Sequence, residues 1–339
     1  DFIFNLPTKS SNAIVQDLVF NLLTSKKTLN KDMISKEQDG EIFLLLVDQL
    51  FKTGRLNEIE LFYSESPVLR DNDFILKKMI EGNLLRNRHS EACKILENKV
   101  RDKPIFFGKI MIICDILNAK YEEAKLGLSL LKEQNNPGDI FFIDLAYSLM
   151  SEQNISESDH LKKNLDQIKE LNPIIMASLQ FADISPNFEQ IANLNTSGLL
   201  FILSNPSVDT DLKIYCSEIL VKQGRISVEM LSEAYQLSRF ENKDIENAFN
   251  LYKTLSPVKA RPLLYQSILR DENPSSRYEK ILALLRISVN DGLLPSISNL
   301  VLDLISFEKY VKTEADALLV SKMYQSKKKF YEAQEILND

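Results

Sequence analysis

Tryptophan is absent from this sequence of 339 residues, and glycine, cysteine and histidine are scarce, at 9, 3 and 2 residues. So few glycines argue against glycine-rich phosphate-binding loops and against an all-β fold with many tight turns. No apolar run reaches the roughly 18 residues that a membrane-spanning helix needs. Basic residues are not in excess either, because 41 Lys and Arg against 48 Asp and Glu leave a net charge of −7. This balance argues against a general nucleic-acid binder.

The three cysteines, Cys93, Cys114 and Cys216, are widely spaced and have apolar neighbours. No CxxC pair is present, so we expect neither a zinc site nor a thioredoxin-like pair. We expect three isolated, buried thiols, which are typical of a reducing compartment. The cytoplasm is therefore slightly favoured over the periplasm. The chain begins at Asp1 rather than Met, and a removed N-terminal signal would keep both compartments open.

The sequence motifs of common enzymes are missing: GxxxxGK[ST], GxGxxG, GxSxG and HExxH do not occur. His89 and Cys93 lie four residues apart, a spacing that suits a Cys–His nucleophile, but no third orienting group is evident and packing roles are favoured. Two pairs of carboxylates, Asp71-x-Asp73 and Asp209-x-Asp211, have a composition that suits glycoside hydrolysis. Both pairs precede apolar helices, however, where helix capping and the helix dipole explain their presence. We predict no catalytic residue, no cofactor and no metal ligand.

Helical periodicity is the strongest positive signal in the sequence. Apolar residues recur at helical spacing in segments 74–86, 105–117, 121–133, 161–171, 212–222, 227–237, 277–289, 293–305, 315–325 and 329–337. Capping and turn residues separate these segments, while strand-like alternation with Asn-Gly turns is missing. The pattern predicts an all-α chain in which short helices pack as neighbouring antiparallel pairs.

A short pattern recurs at the turns between predicted helices. Gly54–Ile59, Asn87–Ala92 and Ala119–Ala124 align without gaps, Lys328–Ala333 is a fourth copy, and Gly224–Glu229 is a weaker one. The first three copies are spaced by 33 and 32 residues. In the first four copies a second helix opens with an acidic residue near its positive end, followed by a small or apolar residue that points back at the first helix.

These turns resemble those of the tetratricopeptide repeat, a two-helix unit of about 34 residues. The small residue of that family corresponds to Ala92, Ala124 and Ala333, its aromatic turn position to His89, Tyr121 and Phe330, and its repeat-ending proline to Pro104. The resemblance implies stacked helix hairpins in a right-handed α-solenoid. The sequence departs from the family at Glu229, which replaces the small residue. It also departs in the first helices, where Val47, Ile80 and Ile112 fill a small position and only Ser321 is small. The run from Ile95 to Ser148 is also similar to an uncharacterised group of bacterial helical-repeat proteins.

Residues 151–212 interrupt the repeat pattern. No Lys or Arg lies between Leu171 and Leu212, and prolines divide the segment into short pieces. We therefore predict an N-terminal helical-repeat segment at 1–150, a connector of short irregular helices at 151–212, and a C-terminal helical-repeat segment at 213–339. An alternative interpretation is that the middle consists simply of irregular repeats.

The function predicted from this organisation is a non-catalytic scaffold or adaptor that binds a protein partner on the solenoid surface. The first helices of the pairs would line that surface, which makes Lys77, Lys78, Asn83 and Lys109 the candidate binding residues for an acidic or C-terminal carboxylate segment. Residues 84–132 carry ten basic and six acidic side chains, whereas 133–160 carry six acidic and no basic ones, which could steer a partner. The alternatives are a helical module of a hydrolase-type enzyme and a structural subunit of a bacterial envelope assembly.

Overall fold

The computed structural model of the chain describes residues 7, 10, 12–24, 37–65, 72–99, 104–151, 158–304 and 306–338. Regular structure within these ranges is entirely helical, and no strand occurs in them. The prediction of an all-α chain is therefore confirmed for the described residues. None of the helices in these ranges is long and apolar enough to cross a membrane.

The chain divides into two compact units, an N-terminal unit of residues 1–10 and 14–209 and a C-terminal unit of residues 11–13 and 210–339. The helices up to residue 209 are α1 (Ala13–Leu23), α2 (Glu37–Lys52), α3 (Leu56–Glu65), α4 (Asp73–Leu85), α5 (His89–Lys99), α6 (Pro104–Leu117), α7 (Tyr121–Glu133), α8 (Ile140–Met150), α9 (Asp159–Leu165), α10 (Pro173–Phe181), α11 (Phe188–Ala192) and α12 (Thr196–Ser204). Those of the C-terminal unit are α13 (Thr210–Lys222), α14 (Val228–Leu237), α15 (Asn242–Glu246), α16 (Ala248–Leu251), α17 (Pro257–Arg270), α18 (Pro274–Val289), α19 (Leu294–Val301), α20 (Glu314–Ser326) and α21 (Phe330–Asn338).

Consecutive helices pack against each other as pairs. In the N-terminal unit the pairs are α2 with α3, α4 with α5, and α6 with α7; in the C-terminal unit they are α13 with α14, α17 with α18, and α20 with α21. The boundary between the units falls at Asp209 and Thr210, so α9 to α12 of the predicted 151–212 connector belong to the N-terminal unit.

The five turns identified from the sequence share one backbone geometry. Each first helix is followed by a residue with a left-handed backbone, and the next N–H donates to the carbonyl five residues earlier at 2.8–3.0 Å. The left-handed residues are Gly54, Asn87, Ala119, Gly224 and Lys328. Such a turn satisfies the last carbonyls of the first helix while it reverses the chain. The small residues that follow in three of the copies, Ala92, Ala124 and Ala333, are buried.

One predicted helix is shorter than expected. The apolar pattern predicted a helix over 161–171, but α9 ends at Leu165. The side-chain amide of Gln190 donates to the carbonyl oxygens of Leu165, at 2.6 Å, and Ile168, at 3.1 Å. The Gln190 side chain thus satisfies carbonyl groups that would have been paired within a longer helix. The next helix begins at Pro173, with Asn172 as its N-cap.

The expectation of three isolated cysteines is wrong. Cys93 in α5 and Cys114 in α6 form a disulfide with their Cα atoms 5.6 Å apart, and it joins the second helix of one pair to the first helix of the next. Only Cys216 is a free thiol among the cysteines; it is buried in the C-terminal unit, where desolvation raises its pKa. The argument for a reducing compartment rested on isolated thiols and therefore loses its basis.

A buried charge network holds the C-terminal unit together. The Arg261 guanidinium, only 2% exposed, donates from Nε and Nη2 to the two carboxylate oxygens of Glu218, each at 2.6 Å. The Tyr235 hydroxyl donates to the same carboxylate at 2.8 Å, and Arg261 Nη1 donates to Asp291 at 2.6 Å and to the Ile287 carbonyl at 3.1 Å. The Glu218 hydrogen bonds and charge outweigh burial and raise the pKa of Arg261. The network ties together α13, α14, α17 and the turn after α18.

Candidate ligand-binding cavity

Two later helices of the N-terminal unit, α10 and α12, pack against the helices that precede them. α10 contacts α4, α6 and α8, and α12 contacts α2 and α4. Six consecutive residues of α10, Ile174 to Leu179, are buried, which requires neighbours on every side of that helix. The chain's own helices therefore occupy much of the surface on which we expected a partner to bind.

A cavity of about 240 Å³ lies where α2 and α4 end, beside the first turns of α10 and α12. Its lining consists of Phe51, Lys52, Leu85, Glu170, Leu171, Pro173, Met176, Gln190, Asn193, Leu194, Asn195 and Gly198. These residues come from five helices, α2, α4, α10, α11 and α12, and from two loops. No residue that the sequence singled out as a binding candidate is among them.

The floor of the cavity is apolar and its rim is polar. Phe51, Leu85 and Met176 are buried, whereas Glu170 and Asn193 are exposed. Two polar side chains of the lining already form hydrogen bonds within the protein. Gln190 donates to the carbonyl oxygens of Leu165 and Ile168, and Asn195 is the N-cap of α12. An apolar group could therefore enter the cavity without breaking the hydrogen bonds of Gln190 or Asn195.

A cluster of charged side chains adjoins this cavity. The Lys52 ammonium lies 2.6 Å from the Asp48 carboxylate, which also pairs with Lys78 at 3.6 Å. Lys78 pairs with Glu81 at 3.4 Å, and its ammonium lies 4.3 Å from the centroid of the Phe51 ring. Phe51 and Lys52 belong both to the cavity lining and to this cluster, so the structure brings Lys78 close to the cavity edge.

The other predicted binding residues have intramolecular partners. Lys77 is half-buried on α4, and Asn83 is buried there with its amide donating to the Met79 carbonyl at 2.9 Å. Lys109 on α6 forms an ion pair with Asp139. That pair links the net-positive segment 84–132 to the acidic segment 133–160. A role for these residues in partner binding stays a prediction.

His89 packs rather than reacts. It begins α5, and its ring meets that of Phe181 edge-on with centroids 4.6 Å apart. Its Nδ1 atom is buried and finds no hydrogen-bond partner among the described residues. Cys93 is held in the disulfide, so it is no nucleophile for His89 to activate. The ring contact agrees with the packing role expected from the aromatic residues at the sister turns.

The described members of the acidic pairs lie at the beginnings of helices. Asp71 lies outside the described residues, and Asp73 begins α4, whose cap is Asn72. Asp211 in the first turn of α13 pairs with Lys259 at 3.1 Å. Within the described ranges there is no group of three or more potential metal ligands.

Acid should destabilise the N-terminal unit through His89. Burial lowers the pKa of His89, with Glu91 opposing, so the unfolded chain takes up this proton at a higher pH than the folded chain. Unfolding free energy should therefore fall as the pH drops below about 6.5, by less than about 1.4 kcal/mol per pH unit, because a single group takes up at most one proton on unfolding. Urea unfolding across this range should show a shallower decline for His89→Phe, which keeps the edge contact with Phe181. The exposed His160→Gln serves as the control and should behave like the parent, and equal slopes for His89→Phe and the parent would contradict the assignment.

Comparison of the chain with protein-family models, curated proteins and solved structures finds no match. Its function is therefore argued from the cavity and its surroundings.

Proposed function

We propose that this chain is a helical-repeat scaffold, similar to tetratricopeptide-repeat proteins, that binds a partner protein at the cavity where α2 and α4 end. The partner is a peptide segment that inserts one apolar side chain between Phe51, Leu85 and Met176. The apolar floor of the cavity carries this proposal, because covering such a surface with an apolar side chain is favourable.

The size of the cavity supports a side chain rather than a larger ligand. Cavities for drug-sized molecules span about 300–1,000 Å³. The volume here is about 240 Å³, below that range. One aliphatic, thioether or phenyl group suits it, and the rest of the partner segment would lie across the rim.

Two features of the fold support the repeat part of the proposal. Five turns between paired helices follow one sequence pattern and share a left-handed residue and a hydrogen bond, and although Asp183 and Gly292 end helices in the same way, the recurrence of paired helices is what a repeated unit predicts. The first helices α4, α6 and α8 already accommodate one helix of this chain, α10. A face that packs one helix is suited to packing a further segment beside it.

A peptide library displayed against the full chain tests this function. Enriched peptides should share one apolar position and should bind with affinities measurable by calorimetry. Leu194→Trp, which fills the cavity from its half-buried edge, should weaken binding about 10- to 100-fold, the value of one buried apolar side chain. Paired replacement Lys77→Ala and Lys78→Ala should weaken it by a smaller factor.

Leu126→Trp provides the matched control for this experiment. Leu126 is exposed on α7 and is not part of the cavity lining, so the same change there should leave peptide affinity unaltered. Circular dichroism would establish that both variants fold. The proposal fails if no peptide is enriched, or if Leu194→Trp binds the enriched peptides as tightly as Leu126→Trp does.

A further inference from the structure

The turn between α20 and α21 combines positive charge with exposed aromatic rings. Its sequence is Lys327-Lys328-Lys329-Phe330-Tyr331, which we call the basic–aromatic turn. Phe330 is 66% exposed and Tyr331 is 73% exposed. None of the three lysines forms an ion pair with a described residue. Two neighbouring rings exposed to this extent beside three lysines form a small surface that is both apolar and cationic.

The backbone of this turn is ordered by hydrogen bonds. Lys327 and Lys329 donate from their N–H groups to the Tyr324 carbonyl, each at 3.0 Å, and Lys328 has the left-handed backbone shared by the sister turns. Ala333 donates back to the Lys329 carbonyl at 3.1 Å, which starts α21. The rings and the ammonium groups are therefore presented by a fixed support rather than by a loose tail.

Two sister turns cover the corresponding residue, whereas a third exposes it less than the last turn does. Ile226, at the position of Phe330, is 8% exposed and His89 packs on Phe181, while Tyr121 is 37% exposed. Repeat packing alone therefore does not require an exposed ring here. The last turn also holds three consecutive lysines, whereas the turn before α7 holds only Lys120.

We propose that the basic–aromatic turn docks the C-terminal unit on an anionic lipid surface. The lysines would contact the headgroup charges, and Phe330 and Tyr331 would enter the boundary between headgroups and acyl chains. Each lysine near an anionic membrane strengthens binding about fivefold, and aromatic rings favour that interfacial layer. Neither interaction needs a groove.

A lipid surface fits these residues better than a nucleic acid does. Phe330 and Tyr331 are successive residues of a helix, so their side chains leave its axis about 100° apart. They cannot form the single platform on which single-strand binders stack successive bases. Both rings can nevertheless enter a soft interface.

Glu229 lies near Lys327, which affects the choice of lysines for the experiment. The pKa of Glu229 is lowered mainly by a hydrogen bond from its own backbone and by Ser227, with a smaller contribution from Lys327. Because Lys327 therefore lies close enough to feel an opposite charge, Lys328 and Lys329 are the better probes of attraction to lipid.

Vesicle flotation of the full chain tests the proposal. The protein should float with vesicles of phosphatidylcholine mixed with phosphatidylglycerol and not with phosphatidylcholine alone. Lys328→Gln with Lys329→Gln should weaken binding about 25-fold, from two lysines at about fivefold each. Phe330→Ser with Tyr331→Ser should weaken it at least about tenfold, the value of burying a large apolar side chain. Added salt should reduce binding of the parent protein.

The turn before α7 supplies the matched control. Lys120→Gln with Tyr121→Ser changes a turn with the same backbone geometry and should float as the parent does. The proposal is overturned if the parent does not bind anionic vesicles, if it binds neutral vesicles equally, or if the control pair loses binding to the same extent. Tighter binding of a single-stranded oligonucleotide or of poly-glutamate, lost in the same variants, would assign the turn to that partner instead.

Discussion

Replacing Arg261 by methionine is expected to lower the unfolding free energy of the C-terminal unit by about 3–5 kcal/mol. The change leaves the Glu218 carboxylate buried without the cation that meets both of its oxygens. The hydroxyl of Tyr235 would remain as a donor, but a neutral hydrogen bond does not compensate a buried charge. Urea unfolding followed by circular dichroism would measure the loss. Hydrogen exchange of peptides from α13, α14 and α17 would place it in the C-terminal unit.

Two further variants test whether the loss of stability comes from leaving the Glu218 charge buried without its partner. Lys259→Met breaks an exposed pair with Asp211, at 3.1 Å, and should cost less than about 1 kcal/mol. Glu218→Leu combined with Arg261→Met removes both buried charges and should recover most of the stability lost by Arg261→Met alone. If Arg261→Met is as mild as Lys259→Met, the network does not hold the unit together.

Removing the Cys93–Cys114 disulfide should lower the unfolding free energy of the N-terminal unit by about 3 kcal/mol. The bond closes a loop with a sequence separation of 21 residues and therefore restricts the unfolded chain. It also connects neighbouring helix pairs through α5 and α6, which contact each other. Cys93→Ser with Cys114→Ser removes both thiols together, and thermal unfolding monitored by circular dichroism would report the change.

The third cysteine gives this experiment its control. A reductant should lower the melting temperature of the parent and of Cys216→Ala by the same amount, because Cys216 takes no part in the bond. It should not affect the Cys93→Ser, Cys114→Ser variant. Mass spectrometry of peptides from the unreduced protein would establish the bond directly. A parent protein that melts at one temperature with and without reductant, although its thiols are shown to be reduced, would contradict the expected stabilisation.

Local sequence patterns predicted the bounds of several helices to within a few residues. The segment 121–133 has the same bounds as α7, and 315–325 lies within α20. Apolar residues at helical spacing and the residues at each end act over a turn or two of helix, so they can be recognised without knowing the fold. The five repeated turns are of the same kind, since their left-handed residue and hydrogen bond involve only neighbouring residues.

Longer-range interactions explain where the sequence interpretation failed. The segment 161–171 has apolar residues at helical spacing, yet α9 ends at Leu165, and the Gln190 amide donates hydrogen bonds to the carbonyl oxygens of Leu165 and Ile168. The cysteines were judged by their spacing and apolar neighbours, neither of which shows that α5 lies beside α6. The cavity was missed for the same reason, because Phe51 and Met176 lie 125 residues apart in the sequence.

The sequence by itself determined the helical class and the geometry of the turns between paired helices, because both depend on interactions among residues close along the chain. Only the tertiary structure decided that Cys93 pairs with Cys114, that Arg261 is buried against Glu218, and that a cavity opens beside α10. Each of these depends on which helices become neighbours. Which helices become neighbours depends on the packing of many apolar faces together, so it cannot be predicted from any one segment of the sequence.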